Sequence, residues 1–270
     1  MKLLLNLLFV SLYFVSISQS KYEWIEKSTY KIDSNDIWTT DVLGNVYISK
    51  KEIIQKFDSI GNFKFSQSQK SFGRLSSIQV LNSMKLIVFS EEQQQLCFLD
   101  NTLTPYESCI NFDDENIGNA TKFAVSSQPD KFWIYDQLNS RLHLVSSRQL
   151  FQNQDVENIK GVLNSIQISF MFEQNNFLYL VDCNQGIYIL DMYASLVNFI
   201  KRPNINGFQV DSEKFYILEK NKFVFIDSNS NEEINIDAPI DKIIEFKKIG
   251  NNYYFRTGKE IKKYHLLLNK

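Results

Sequence analysis

Glycine and proline are scarce, 9 and 4 in 270 residues, too few for a collagen-like repeat, a flexible linker or a series of glycine-rich phosphate loops. Histidine is scarcer still: His143 and His265 are the only two, and neither has a His, Cys or Asp at metal-ligand spacing. Both read as partly buried strand residues. Charge of one sign is not in excess either, with 29 Lys and Arg against 31 Asp and Glu. No polycationic surface results, so nucleic acid is not an expected partner. One long apolar run is present, over residues 3–17, and it has no second. It is shorter than the ~20 residues that span a bilayer, which argues against a membrane-spanning helix.

Hydrophobic residues make up 44% of the chain and aromatics 14%, with 22 Phe and 13 Tyr. That composition buries a large core and excludes disorder. Residues 1–20, MKLLLNLLFVSLYFVSISQS, place Lys2 before the apolar run and small residues at Ser16, Ser18 and Ser20. This is the layout of a secretory signal peptide, with cleavage expected after Ser18 or Ser20. No cysteine lies near that junction to accept a lipid. Residues 21–270 are then the exported domain. At ~150 residues per domain the length suggests two, although an all-β fold of this size is routinely one.

The repeat decides for one. Six segments end in an apolar strand marked by Tyr47, Ile87, Trp133, Tyr179, Tyr216 and Tyr254, at intervals of 37 to 46 residues. A second apolar strand ends 11 to 13 residues beyond each marker, at Asp58, Asp100, Ser146, Asp191, Asp227 and His265. Such a period matches one four-stranded propeller blade. Inner strands are expected over 37–39, 78–81, 123–126, 166–171, 207–210 and 242–246, and outer strands over 62–66, 106–112, 149–152, 195–200 and 232–237. The sixth unit stops after its third strand, leaving an edge that invites aggregation. Residues 22–32, YEWIEKSTYKI, partly alternate apolar and polar residues and are expected to close the ring there. The fold class is therefore all-β, a single six-bladed β-propeller of four-stranded blades closed by its N-terminal strand.

The first unit, TDVLGNVYISKKEIIQKFDSIGNFKF, matches through Asp41, Gly44, Asn45, Tyr47, Ile54, Lys56, Asp58 and Gly61, and it resembles the NHL and gluconolactonase-like propeller repeat. Residues 72–150 look like periplasmic propellers of Bacteroidota. That second resemblance implies a periplasmic location.

Candidate chemistry is sparse. Asp33, Asp36, Asp41 and Asn45 are close in sequence, and the gluconolactonase resemblance implies a divalent cation held by carboxylates and amides. The glycine-centred spacing of a calcium loop is missing, which favours turn chemistry. The five arginines are scattered. The residue three after each marker opens a turn: Lys50, Ser90, Asp136, Asp182, Glu219 and Thr257, with Glu91 and Glu92 beside Ser90. Glu91, Glu92, Asp136, Asp182 and Glu219 would give one face an acidic surface for a basic partner segment or a cation, unless acids are there for the turns alone. Residues 111–119 and 152–165 are polar connections, the latter the largest insertion between blades and a candidate contact site. Cys97 and Cys109 stand six residues either side of Leu103. A hairpin centred there would make them face each other for a disulfide, or they are two small apolar side chains. Cys183 lies in a turn with no neighbouring base.

No convergent catalytic set emerges, so no cofactor and no metal are expected. The expected function is a non-catalytic interaction scaffold with a protein partner. In the periplasm that partner would be an outer-membrane barrel or translocon, with this chain as an accessory or plug subunit. The alternative is a metal-dependent gluconolactonase-like hydrolase or small-ligand binder at the channel.

Overall fold

Two apolar strands per repeat, alternating with polar turns, cannot bury both their faces alone, and the computed structural model shows how they do so together. It describes residues 22–114, 117–147, 154–163 and 167–268. The expected signal segment, residues 1–20, lies outside them. Six four-stranded antiparallel sheets form a six-bladed β-propeller. From the inner strand outward, blade one is Ile37–Thr40, Val46–Lys50, Ile53–Phe57 and Phe63–Ser68, and blade two is Ser77–Asn82, Lys85–Ser90, Gln95–Asp100 and Ile110–Asn111. Blade three is Ala120–Val125, Lys131–Asp136, Arg141–Ser146 and Gln154–Val156; blade four is Phe170–Gln174, Phe177–Asp182, Gly186–Leu190 and Leu196–Lys201. Blade five is Gly207–Asp211, Lys214–Glu219, Lys222–Asp227 and Glu233–Asp237. Blade six is Glu245–Ile249, Asn252–Arg256 and Glu260–Leu268, completed by Tyr22–Lys31.

The core is six layers, one between each pair of neighbouring blades. Trp133 and Leu144 of blade three meet Leu178 and Tyr188 of blade four, for example, and Ile87 and Phe98 of blade two meet Phe132 and Ile134 of blade three. The middle strands are therefore buried on both faces, as in Lys131–Asp136, where every residue after Lys131 is buried. This explains why they read as continuous apolar runs instead of alternating.

The closing strand must serve two layers at once. Tyr22–Lys31 pairs with Glu260–Leu268 from Tyr22 opposite Leu268 to Lys31 opposite Glu260, with a register shift between Glu26 and Ser28. Trp24 packs edge-on against Phe223 of blade five and Tyr253 and Phe255 of blade six. Tyr30 instead joins Trp38, Val46 and Ile48 of blade one. Residues 24 and 30 would share a face in a regular strand; the extra residue, Lys27, turns the second half over. That bulge is the reason the segment only partly alternates.

Polar side chains bind blade to blade. Each tryptophan indole N–H donates across a boundary: Trp24 to the Asp237 carbonyl at 2.9 Å, Trp38 to Glu245 at 2.8 Å and Trp133 to Glu173 at 2.7 Å. Gln79 and Gln209 occupy equivalent inner-strand positions, opposite the markers Ile87 and Tyr216. Each amide clamps the next inner strand: Gln79 donates to the Phe123 carbonyl and accepts from the Val125 N–H, and Gln209 does the same with the carbonyl and N–H of Lys248. Lys56 and Lys263 are likewise equivalent, opposite Tyr47 and Tyr254, and reach the Asn101 and Ser59 carbonyls of the following blade. Burial lowers both ammonium pKa values, with Asp41 and Asp100 opposing the effect at Lys56.

The differences from sequence are local. Blade two's outer strand, expected over 106–112, is only Ile110–Asn111; before it the pairing is reduced to the bridge of Pro105 with Leu99 and the Tyr106 N–H to the Phe98 carbonyl. Blade three's, expected over 149–152, falls on residues outside those described; Gln154–Val156 forms the pairing. The inner strands of blades four and six sit about three residues later than expected. Polar residues that resemble turn material are satisfied inside the ring. Glu173 accepts from the Trp133 indole and the Ser127 N–H, and Lys248 is buried with Asp211 and the Gly250 carbonyl. The turn of blade four is Asn175–Asn176, both left-handed (φ 53° and 62°), as a two-residue hairpin requires.

Two changes test the closing strand. Trp24→Ala removes a ring packed between two blades and should destabilise by about 3 kcal/mol or more. Inserting one alanine after Lys27, beyond what a single bulge absorbs, puts Trp24 and Tyr30 on one face and should lower the urea midpoint at least as far, whereas deleting Lys27 leaves them five positions apart and still on opposite faces. A midpoint unchanged by the insertion would show that the bulge does not set the closure.

Candidate functional site: the channel and its turns

Inner strands of blades one, two, four, five and six line a cavity of about 680 Å³, with Trp38, Gln79, Phe172, Gln209, Glu245 and Lys247 on its wall. At the junction of blades six and one, Glu245 gathers the charges. Its Oε2 accepts from the Trp38 indole at 2.8 Å and from Arg256 Nη1 at 3.4 Å. Lys247 Nζ stands 3.9 Å from Oε1 and 5.5 Å above the Trp38 ring. Arg256 is buried, and its Nη2 donates to the carbonyls of Asp33 and Ser34. The guanidinium thus fastens the connection from the closing strand into blade one. Sequence reasoning missed this cluster, since Trp38 and Glu245 are 207 positions apart and no local pattern unites them.

The aspartates that mark the repeat have one common geometry. Asp58 Oδ1 accepts from the N–H groups of Ile60 and Asn62, Asp100 Oδ1 from Thr102 and Thr104, and Asp191 Oδ1 from Tyr193 and Ser195. Asp227 does the same for Asn229 and Ser230. Each is an Asx turn ending a third strand. Asp41 repeats it one turn earlier, accepting from Leu43 and Asn45 N–H, the Asn45 amide and the Tyr47 hydroxyl. Asp36 accepts from the Asp33 N–H, and Lys50 stands 3.9 Å from both. These four residues therefore build two separate turns, Asp33 with Asp36 and Asp41 with Asn45. Among the described residues no group of three or more His, Cys, Asp or Glu converges. Gly44 is required at its turn: φ is +83°, and a Cβ there would lie 3.1 Å from Ser59 Cβ and 3.2 Å from the Tyr254 hydroxyl.

The acidic face is corrected by burial. Asp136 is 0% exposed and Asp182 1%; both point inward. Asp136 accepts from the N–H groups of Gly118, Asn119 and Asn139 and from the Asn139 amide. Burial alone would raise its pKa, but those bonds outweigh it and hold the carboxyl low. Asp182 accepts from Gln167, Asn184 and Gln185. At the equivalent place Ser90 donates to the Arg74 carbonyl and accepts from the Gln93 N–H. These positions tie the turn to the strand entry beside it. Glu219 is paired with Arg202 at 2.6 Å, leaving Glu91 and Glu92 as the exposed members. Acid recurrence marks turn anchors, and the five carboxylates do not form one surface.

Cys97 and Cys109 are joined by a disulfide, Cα atoms 4.2 Å apart, around Leu103, which is left-handed (φ 65°) and fully buried. Cys183 is a free thiol beside the cavity; burial raises its pKa, assisted by the Asp182 charge and opposed by a hydrogen bond with Ser169. His143 is buried and bonded through Nδ1 to Asp155, and His265 Nε2 meets Asn252 Oδ1 at 2.7 Å.

Alternating strand directions send the first and third turns of every blade to one face. Val42 and Leu43 (67% and 65% exposed), Ile60 (72%) and Met84 (57%) emerge there on blades one and two. Gly44 and Ser59 are close enough that the two blade-one turns touch, and Met84 Sδ meets the Asn101 amide of blade two's other turn. Val42 and Leu81 also line the cavity, so the apolar turns border its mouth. The opposite face carries Leu138 and Ile244 on separate blades.

Lys64 first, and then the Asn62 bonds, hold Asp58 below the ordinary carboxyl range; Thr102 leads at Asp100 and the Ser230 N–H at Asp227. A carboxyl depressed on folding contributes stability above its unfolded pKa of ~3.9 and loses it as pH falls through the folded value. The urea midpoint should therefore drop below about pH 4. An Asp58→Asn, Asp100→Asn, Asp227→Asn variant, which keeps the turn acceptors, should drop less steeply; equal slopes would remove these turns from acid sensitivity. Alkylation without reductant should label one thiol, Cys183, and three after reduction. Replacing both bridged cysteines with alanine should cost at most about 3 kcal/mol.

The sequence matches no protein-family model and no curated protein. Its fold is shared by solved structures. The WD40 domain of Neurospora crassa Pan2 superposes with a TM-score of 0.64 at 8% identity, over 92% of this chain and 96% of that one. Virginiamycin B lyase from Staphylococcus aureus gives 0.61 at 11%, over 91% and 100%. A chain of the Mitotic Checkpoint Complex gives 0.63 at 8%, over 98% of each. At these identities the likeness is one of β-propeller fold.

Proposed function

We propose that this chain is a non-catalytic propeller scaffold that works after export and docks a protein partner on the face carrying the apolar turns of blades one and two. The observation that carries the reading is the set Val42, Leu43, Ile60 and Met84, all more than half exposed on same-face turns of blades one and two, with Val42 also lining the cavity. Turn tips are normally polar, and clustered exposed apolar side chains on a rigid ring mark a contact surface. Propellers of the same fold occur in protein assemblies, as the Mitotic Checkpoint Complex does. The signal-like residues 1–20 and the likeness to periplasmic propellers of Bacteroidota favour the periplasm. An outer-membrane barrel or its assembly or secretion machine is then the natural partner, with this chain as an accessory or plug subunit. The hydrolase alternative draws no support from a convergent donor set among the described residues.

Tagged protein extracted from its own cells in mild detergent should co-purify with a membrane β-barrel protein. A variant with Val42, Leu43, Ile60 and Met84 all changed to Ser should keep its thermal midpoint and lose that protein. Recovery of the unaltered protein only as a free monomer would overturn the proposal.

A further inference from the structure

Blade three holds a histidine whose bonding is incomplete. His143 is 5% exposed; Nδ1 lies 2.8 Å from Asp155 Oδ1, whereas Nε2 is buried with no hydrogen-bond partner. Asp136 Oδ2 stands 3.8 Å from Nε2, too far for a hydrogen bond but within ion-pair reach. If the neutral ring donates Nδ1–H to Asp155, its bare Nε2 lone pair faces an ionised carboxylate, acceptor against acceptor. A proton on Nε2 removes the conflict and gives the ring a carboxylate on each side.

We propose that His143 is a proton-operated clasp: protonated, it bridges Asp136 and Asp155 and fastens the outer strand Gln154–Val156 to blade three, and deprotonated it loosens that hold, so that the strand opens more often. Just beyond it, Ile159 and Leu163 anchor the chain in the layer between blades three and four, and Ile159 N–H donates to the Ser140 carbonyl, but the strand's own hold on its neighbour is short. It pairs through three positions, Leu142 with Val156, His143 with Asp155 and Leu144 with Gln154. Among the described residues its neighbouring charged tie is Arg141–Glu157 at 2.6 Å, exposed on both sides. Asp136, anchored by four donors, remains ionised and supplies a constant field. Ile134 and Val145 on blade three share an apolar layer with Ile110, Phe112 and Ile117 of blade two, and among the described residues of that layer none is charged. Among the described residues, Asp136 and Asp155 are the carboxylates within 4 Å of the ring. Release would bare the edge of Arg141–Ser146, an unpaired strand next to the insertion between blades three and four. This device is independent of what docks on the apolar turns.

Two histidines make the test clean. Imidazole nitrogen signals of the full chain, followed from about pH 8 to pH 5, should show His143 becoming an imidazolium. Amide protection at Gln154–Val156, corrected for intrinsic exchange, should rise in step by roughly threefold or more, the scale of a partly screened ion pair. In His143→Gln that rise should vanish, and Asp155→Asn, which leaves the buried site intact, should abolish it as well. Protection that stays flat while His143 titrates, a ring that stays neutral to about pH 5, or a response that survives in both variants would overturn the clasp.

Discussion

Everything in this molecule depends on the requirement that each sheet bury both faces. A single four-stranded blade has nothing to hide its second face, so stability resides in the six layers between blades and none exists until neighbours meet. The ring form follows from that need, because a row of blades would leave two end faces bare. Closure by Tyr22–Lys31 is therefore a structural necessity, and the Lys27 bulge lets one strand present Trp24 to blade five and Tyr30 to blade one.

Apolar layers are non-directional and would tolerate sliding between blades. The side-chain bonds across the boundaries supply direction. A glutamine amide matches the donor and acceptor of a strand edge, so Gln79 and Gln209 fix the height of the next inner strand. Lys56 and Lys263 make equivalent bonds at two other boundaries despite the desolvation of their ammonium groups. These ties are unevenly distributed, which fits a repeat whose members have diverged in sequence while keeping one geometry.

The ring, its strand order and its closure were legible because the markers and the terminal aspartates are local features: an aspartate that accepts from the N–H groups two to four residues later leaves a trace at fixed spacing. Inner strands were harder, since Glu173 and Lys248 look like turn residues until partners from other blades satisfy them. For the site the loss was greater. The acids at the second turn were visible as a pattern, but Asp136 and Asp182 face inward, and periodicity cannot distinguish a surface from an anchor. The Trp38, Glu245 and Arg256 cluster joins distant segments and left no local signal.

The pairing of Tyr22 with Leu268 also sets an order of events. The strand synthesised first among those of the ring has its partner synthesised last, so it must wait with Trp24 and Ile25 unburied while five blades are assembled. Loop closure over nearly the whole chain makes this a slow step. Completion of the fold therefore waits for residues 260–268, and the interval before they are available is the one in which a chaperone has most to protect.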